Sequence, residues 1–196
     1  MEGDRGRHVQ RDTERILDEY LAAAARTGDR VAWERLVARW QPRLLRHAWR
    51  LTGHPDLARD MVQEAWVEIV RGLRRLDDIA AFPAWAFRIV TRRCARAIRG
   101  RQVERAHLVE AELETVMAGE QDAAGERASE LAVVRAEMQA LPAPQRAALS
   151  LFYLEDLSVA EIAVALDVPP GTVKTRLMHA RRKIRARLEG ISDGQD

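Results

Sequence analysis

Leu57, Met61, Ala65, Ile69 and Leu73 fall at every fourth position, so a helix over this stretch carries one unbroken apolar stripe while its opposite side stays polar. Pro55 suits the first turn of that helix, where a missing N–H removes no intrahelical bond. The same periodicity runs through the rest of the chain. From Thr13 to Arg26 the apolar positions are Ile16, Leu17, Tyr20, Leu21 and Ala24, and Gly28 with Asp29 marks a stop followed by a new N-cap. From there to about Leu51 the stripe is Leu36, Val37, Trp40, Leu44, Ala48 and Leu51, with Pro42 placed to kink or split the helix. "DDIAAFP", Asp77 to Pro83, reads as a loop, and a fourth helix is expected from about Ala84 to Arg101.

Strand-like alternation never persists, and only seven Pro and 11 Gly interrupt 196 residues, so the expected fold is all-α. Four helices joined by short turns pack as a small bundle. A second helical cluster follows over Leu131 to Met138, Gln145 to Leu154, Ser158 to Leu166 and Pro170 to Leu188. Between them, Ala106 to Glu130 is rich in Ala and Glu with weak periodicity and reads as a flexible acidic linker. The expected organisation is a tail over 1–12, a helical domain over 13–105, the linker over 106–130, a second helical domain over 131–190 and a tail over 191–196.

Charge is nearly balanced overall, 32 Lys+Arg against 30 Asp+Glu, yet unevenly placed. Arg71 to Arg105 holds ten Arg and three carboxylates, net +7; Ala106 to Ala140 holds eight carboxylates and two Arg, net −6; Gly171 to Leu188 holds seven cations and no carboxylate. Two basic blocks thus flank an acidic one, a pattern that suits a polyanionic partner. The single cysteine, Cys94, allows no intramolecular disulfide, fits a reducing compartment and falls on an apolar face. The opening "MEGDRGRHVQRDTER" is too charged for a signal peptide, and no apolar run reaches the roughly 18 residues that span a bilayer. A cytoplasmic protein with no membrane insertion is expected.

On the fourth helix, a wheel puts Phe87, Val90, Cys94, Ala97 and Ile98 on one side and Trp85, Arg88, Arg92, Arg96 and Arg99 on the other. A row of cations tracks a phosphate backbone, and an indole stacks on an unpaired base. Near the C-terminus, Ser158 and Glu161 have the spacing of a capping box, and the turn Asp167-Val168-Pro169 leads to Pro170 at the head of another helix, which together make a helix-turn-helix. In the second of these helices Val173, Leu177, Ala180, Ile184 and Leu188 cluster on one side. The far side presents Lys174, Thr175, Met178, His179, Arg182 and Arg185, a mixture suited to base edges and thymine methyls in a major groove.

These two stretches, "DLARDMVQEAWVEIVRGLRRLDDIAAFPAWAFRIVTRRCARAIR" and "LPAPQRAALSLFYLEDLSVAEIAVALDVPPGTVKTRLMHARRKIRARL", resemble regions 2 and 4 of sigma factors of the sigma-70 superfamily, specifically the small two-domain extracytoplasmic-function group. The resemblance implies a non-enzymatic, cofactor-free promoter-specificity subunit whose partners are core RNA polymerase, promoter DNA and an anti-sigma factor. It implies that Asp60, Gln63 and Glu64 of "DMVQE" meet the polymerase. Ile79, Ala80 and Phe82 of the loop, with Trp85, Arg88, Arg92, Arg96 and Arg99, would serve the minus-10 element, the loop by capturing an extruded base and Trp85 by melting. Thr172, Lys174, Thr175, Arg176, Met178, His179 and Arg182 would serve the minus-35 element. Two features depart from the family's pattern. Arg92 and Arg96 stand where Asn or Asp is frequent, which favours phosphate over base contact, and Asp156 and Asp167 replace turn glycines.

Two other readings use parts of the chain. A conventional helix-turn-helix regulator, dimeric on an operator, accounts for Ser158 to Leu188 and leaves "DMVQE" and the Trp85 face without a purpose. A metal-dependent nuclease would need His54, Asp56, Asp60 and Glu64 as ligands, although a carboxylate pair one helical turn apart is more often polar surface.

Overall fold

The computed structural model describes residues 2–109, 136–138 and 140–192, with side chains over 13–101, 136–138 and 140–186. Every regular element among them is helical. Helix α1 (Glu2–Arg26) begins earlier than its apolar stripe indicates. Gly28 adopts φ +101°, which a side-chain-bearing residue rarely takes, and the Asp29 carboxylate accepts from the amides of Val31 and Ala32 at 2.8 and 3.0 Å to open α2 (Arg30–Thr52). Pro42 neither ends nor splits α2. It and Ala38, whose carbonyl it leaves without an amide donor, are both exposed, so water can satisfy that carbonyl. Gly53, left-handed at φ 71°, closes α2 by donating to the Trp49 carbonyl at 2.8 Å.

Helix α3 (Pro55–Gly72) starts on Pro55 and buries the whole four-residue stripe through Leu73. Two short 3₁₀ turns, Leu73–Arg75 and Ile79–Ala81, lead into α4 (Phe82–Val109). The second group comprises α5 (Ala143–Tyr153), α6 (Val159–Leu166) and α7 (Pro170–Ser192). The linker expected over 106–130 and the helix expected over Leu131 to Met138 lie almost wholly outside the described residues, as do the side chains of 1–12 and of Leu188.

The core of the first group is built around Trp40, which meets Phe82 edge-on at 5.0 Å and Phe87 at 5.6 Å between ring centroids. Its indole N–H donates to Asp18 at 3.0 Å. That carboxylate, though buried, also accepts from Arg39 at 2.5 Å and Arg43 at 3.0 Å, so three donors offset the desolvation of one charge. Cys94 is buried and its thiol is pushed up to about 12 by desolvation, consistent with a core residue.

Leu149, Leu151, Ile162, Val173, Leu177 and Ala180 fill the interior of the second group, and the two interiors form one continuous apolar cluster. Helix α6 lies against α4, and α5 against α2.

Candidate nucleic-acid interface

Helix α6 opens on a complete capping box: the Ser158 hydroxyl accepts from the Glu161 amide at 3.2 Å, and the Glu161 carboxylate accepts from the Ser158 amide at 2.7 Å. It closes at Asp167, left-handed at φ 54° and ψ 49°. The turn then delivers Pro170 as the first residue of α7, completing the helix-turn-helix.

On α7, Val173, Leu177 and Ala180 are buried and Ile184 half-buried, while Lys174, Thr175, Met178, His179, Arg182 and Arg185 are exposed together. Met178, a large apolar side chain, leaves 57% of its surface in water. The Thr175 hydroxyl donates to the Gly171 carbonyl at 3.0 Å, leaving its oxygen free to accept. Thr172 and Arg176 are half-buried at the edge of this face, and desolvation lowers the pKa of Arg176.

On α4, Phe87, Val90 and Cys94 point inward and Arg92, Arg96 and Arg99 are exposed, as the wheel expects; Ala97 and Ile98 are only half-buried. Two residues of the expected minus-10 set sit differently. Phe82 is fully buried against Trp40, so it supports the preceding turn from inside and presents nothing to a ligand. Trp85 is half-buried: its ring lies over Gly72, where a Cβ would come within 2.7 Å of Trp85 Cζ2. Ile79 is half-buried and Ala80 exposed in the turn held by Asp78, whose carboxylate accepts from the Ala80 amide at 3.0 Å.

Arg88 is half-buried and, with Arg92, reaches Asp167 of the second group at 2.8 and 3.3 Å. The hydrogen bond from Arg88 is the largest influence holding the Asp167 carboxyl below the usual range; desolvation opposes it, and the charge of Arg88 with the hydrogen bond and charge of Arg92 add to the lowering. This pairing across the two groups has no counterpart in any local pattern. The one sequence signal was Asp167 itself, a carboxylate where a turn glycine is usual.

Asp60, Gln63 and Glu64 are exposed on one side of α3. Glu64 accepts from Arg93 at 2.8 Å, and Glu68 accepts from the same guanidinium at 2.8 Å; these hydrogen bonds, to Glu68 and then to Glu64, raise the Arg93 pKa. Asp56 pairs with Arg59 at 2.9 Å. Two of the carboxylates that a metal-dependent nuclease would need are thus engaged by arginines.

Models of known families match both groups: "Sigma-70 region 2" over residues 36–104 and "Sigma-70, region 4" over residues 131–184. An ECF RNA polymerase sigma factor, SigM of Mycobacterium tuberculosis, is 35% identical over 185 residues, covering 94% of this chain and 88% of that protein. The RNA polymerase sigma-H factor of Pseudomonas aeruginosa is 30% identical over 184 residues, 89% of this chain and 95% of that protein. Among solved structures, CnrH in complex with the cytosolic domain of CnrY is similar with a TM-score of 0.59 and 25% identity, over 89% of this chain and 98% of that one. The sigma factor RpoE of Bartonella quintana, in complex with the anti-sigma factor NepR, shares the fold with a TM-score of 0.62 at 22% identity, over 80% of this chain and 96% of that one.

Proposed function

The chain belongs to the extracytoplasmic-function sigma factors of the sigma-70 family, and from that premise we propose how its residues divide the work of directing RNA polymerase to promoters. It is a promoter-specificity factor for transcription initiation. It contributes binding and positioning rather than catalysis, and acts in the cytoplasm with the polymerase. The observation that carries the division of labour is the pair of outward faces: a mixed, acid-free face on α7 and a cationic row on α4 beginning at an indole.

Lys174, Thr175, Met178 and His179 read the minus-35 element, flanked by Thr172, Arg176 and Arg182 on the backbone. Arg88, Arg92, Arg96 and Arg99 follow the phosphates of the minus-10 element, and Trp85 leaves its place over Gly72 to stack on an unpaired base, with Ile79 and Ala80 beside it. Asp60, Gln63 and Glu64 dock on core polymerase. Each neutralised phosphate releases counterions, so binding weakens steeply with salt. An anti-sigma factor is the regulator to expect; the RpoE that shares this fold was solved in complex with one, NepR. A conventional operator-binding regulator explains the second group alone and leaves the region 2 match over 36–104 unexplained.

The role of Trp85 is separable. Loss of one base-stacking aromatic removes about 1–3 kcal/mol, so polymerase reconstituted with the Trp85→Ala chain should open linear duplex promoter about tenfold less, read as permanganate reactivity of unpaired thymines. On a template already unpaired at the minus-10 element the defect should shrink. Equal loss on both templates would assign Trp85 to binding rather than melting.

A further inference from the structure

Asp60 and Glu64, the carboxylates of the docking set, have a third in line: Glu68 falls four positions further along α3, and all three are exposed. At that spacing they stack on one side of the helix over about 12 Å. Like charges one turn apart repel each other. A cation from another helix answers two of them. Arg93 of α4 donates from Nη1 to Glu64 Oε2 at 2.8 Å, and from Nη2 and Nε to Glu68 Oε2 at 2.8 and 3.1 Å. One rigid guanidinium fork thus spans a full turn of α3.

The pairing leaves both carboxylates usable. Each is held through Oε2 alone; Oε1 accepts no hydrogen bond among the described residues, and the two side chains remain 52% and 47% exposed. An ionised carboxylate has lone pairs for several donors, so each can take a second cation from outside while Arg93 keeps the first. A glutamate loose in water loses rotamer freedom when a partner fixes it. Arg93 has already removed that freedom.

Arg93 has no place in the row of cations that faces DNA. It follows Arg92 directly, and successive residues of a helix point about 100° apart. Arg92 is exposed, whereas Arg93 is half-buried and reaches across to α3, which packs against α4. Exposed ion pairs contribute little to stability, so holding the two helices together does not account for three hydrogen bonds from one side chain.

We propose that Glu68 belongs to the polymerase-docking face beside Glu64, and that Arg93 is the positioning residue that holds both carboxylates ready for core polymerase. The inference rests on the reading that Asp60, Gln63 and Glu64 dock there. Its test is direct binding of the full-length chain to core RNA polymerase by biolayer interferometry, without DNA, so that the phosphate-facing cations of α4 play no part. Urea unfolding checks that each variant folds. Glu68→Gln should bind several-fold more weakly. Arg93→Met keeps the stem and removes the guanidinium. By charge alone it should bind tighter, because the face becomes more negative toward the cationic surface that complements it; loss of positioning makes it bind several-fold weaker. Arg93→Lys keeps the charge without the fork and should also bind more weakly than the parent. In a chain already carrying Glu64→Gln and Glu68→Gln, Arg93→Met should change nothing further; a loss as large as in the parent would place its role elsewhere. Equal or tighter binding by folded Arg93→Met, or binding equal to the parent by Arg93→Lys, overturns the positioning role. Unchanged binding by Glu68→Gln overturns the wider face. If Glu64→Gln itself binds as the parent does, the docking reading falls, whereas weakening there with none in Arg93→Met and Glu68→Gln removes only the roles of Arg93 and Glu68.

Discussion

Gly72 is a glycine for a steric reason and not a conformational one. Its φ is −87°, open to any residue, yet a Cβ there would meet the ring of Trp85 at 2.7 Å. Alanine should therefore lose the helix-propensity advantage it normally holds over glycine. Gly72→Ala should cost about 1–3 kcal/mol in urea unfolding, in the range of overpacked cores. In a Trp85→Ala background the cost should vanish; an undiminished cost there would put the clash elsewhere. A residue-level contact of this sort was not legible in the sequence, because Gly72 and Trp85 belong to different helices and no spacing rule links them. Phe82 illustrates the same limit: it is buried against Trp40 of α2, while the local pattern placed it in a loop.

At the scale of elements, the pairing of α2 with α4 turns on His47 and Thr91. The Thr91 hydroxyl donates to the Phe87 carbonyl at 2.9 Å, so its one hydrogen is used and His47 Nε2, 2.9 Å away, must carry the proton of that contact. Nδ1 is then the unprotonated nitrogen, buried without a partner. Burial, with the nearby charge of Arg50, lowers the imidazole pKa from 6.5 to about 3. The folded value lies below the unfolded one, so above pH 6.5 the ring is neutral in both states. Below it the unfolded chain takes up a proton that the fold refuses, and stability falls as pH drops toward 3, by at most about 1.4 kcal/mol per pH unit. Urea unfolding at pH 7, 6 and 5 should show this slope, and His47→Gln should reduce it; an unchanged slope would mean that other groups carry it. Helix existence and inward faces were legible at this scale, as α3's four-residue stripe and α7's Val173, Leu177 and Ala180 show. These depend on local period alone. Pro42 was misleading because its effect on α2 depends on which side of the helix meets water.

For the whole molecule, the two basic blocks and the order of regions 2 and 4 were visible in the chain, and the fold and family follow them. What was not visible was that the two groups close on each other, since Arg88 and Asp167 are 79 positions apart, the one read as a phosphate contact and the other as a turn residue. In the proposed division of labour, α7 and α4 read two separate promoter elements on the polymerase. Its most direct test is transcription by reconstituted core polymerase over a randomised promoter library, comparing the parent chain with Lys174→Ala. Two enriched motifs separated by a fixed spacer are expected, with Lys174→Ala altering the upstream motif alone. Motifs that change together, or equal sequence-specific protection by the free chain without polymerase, would contradict it.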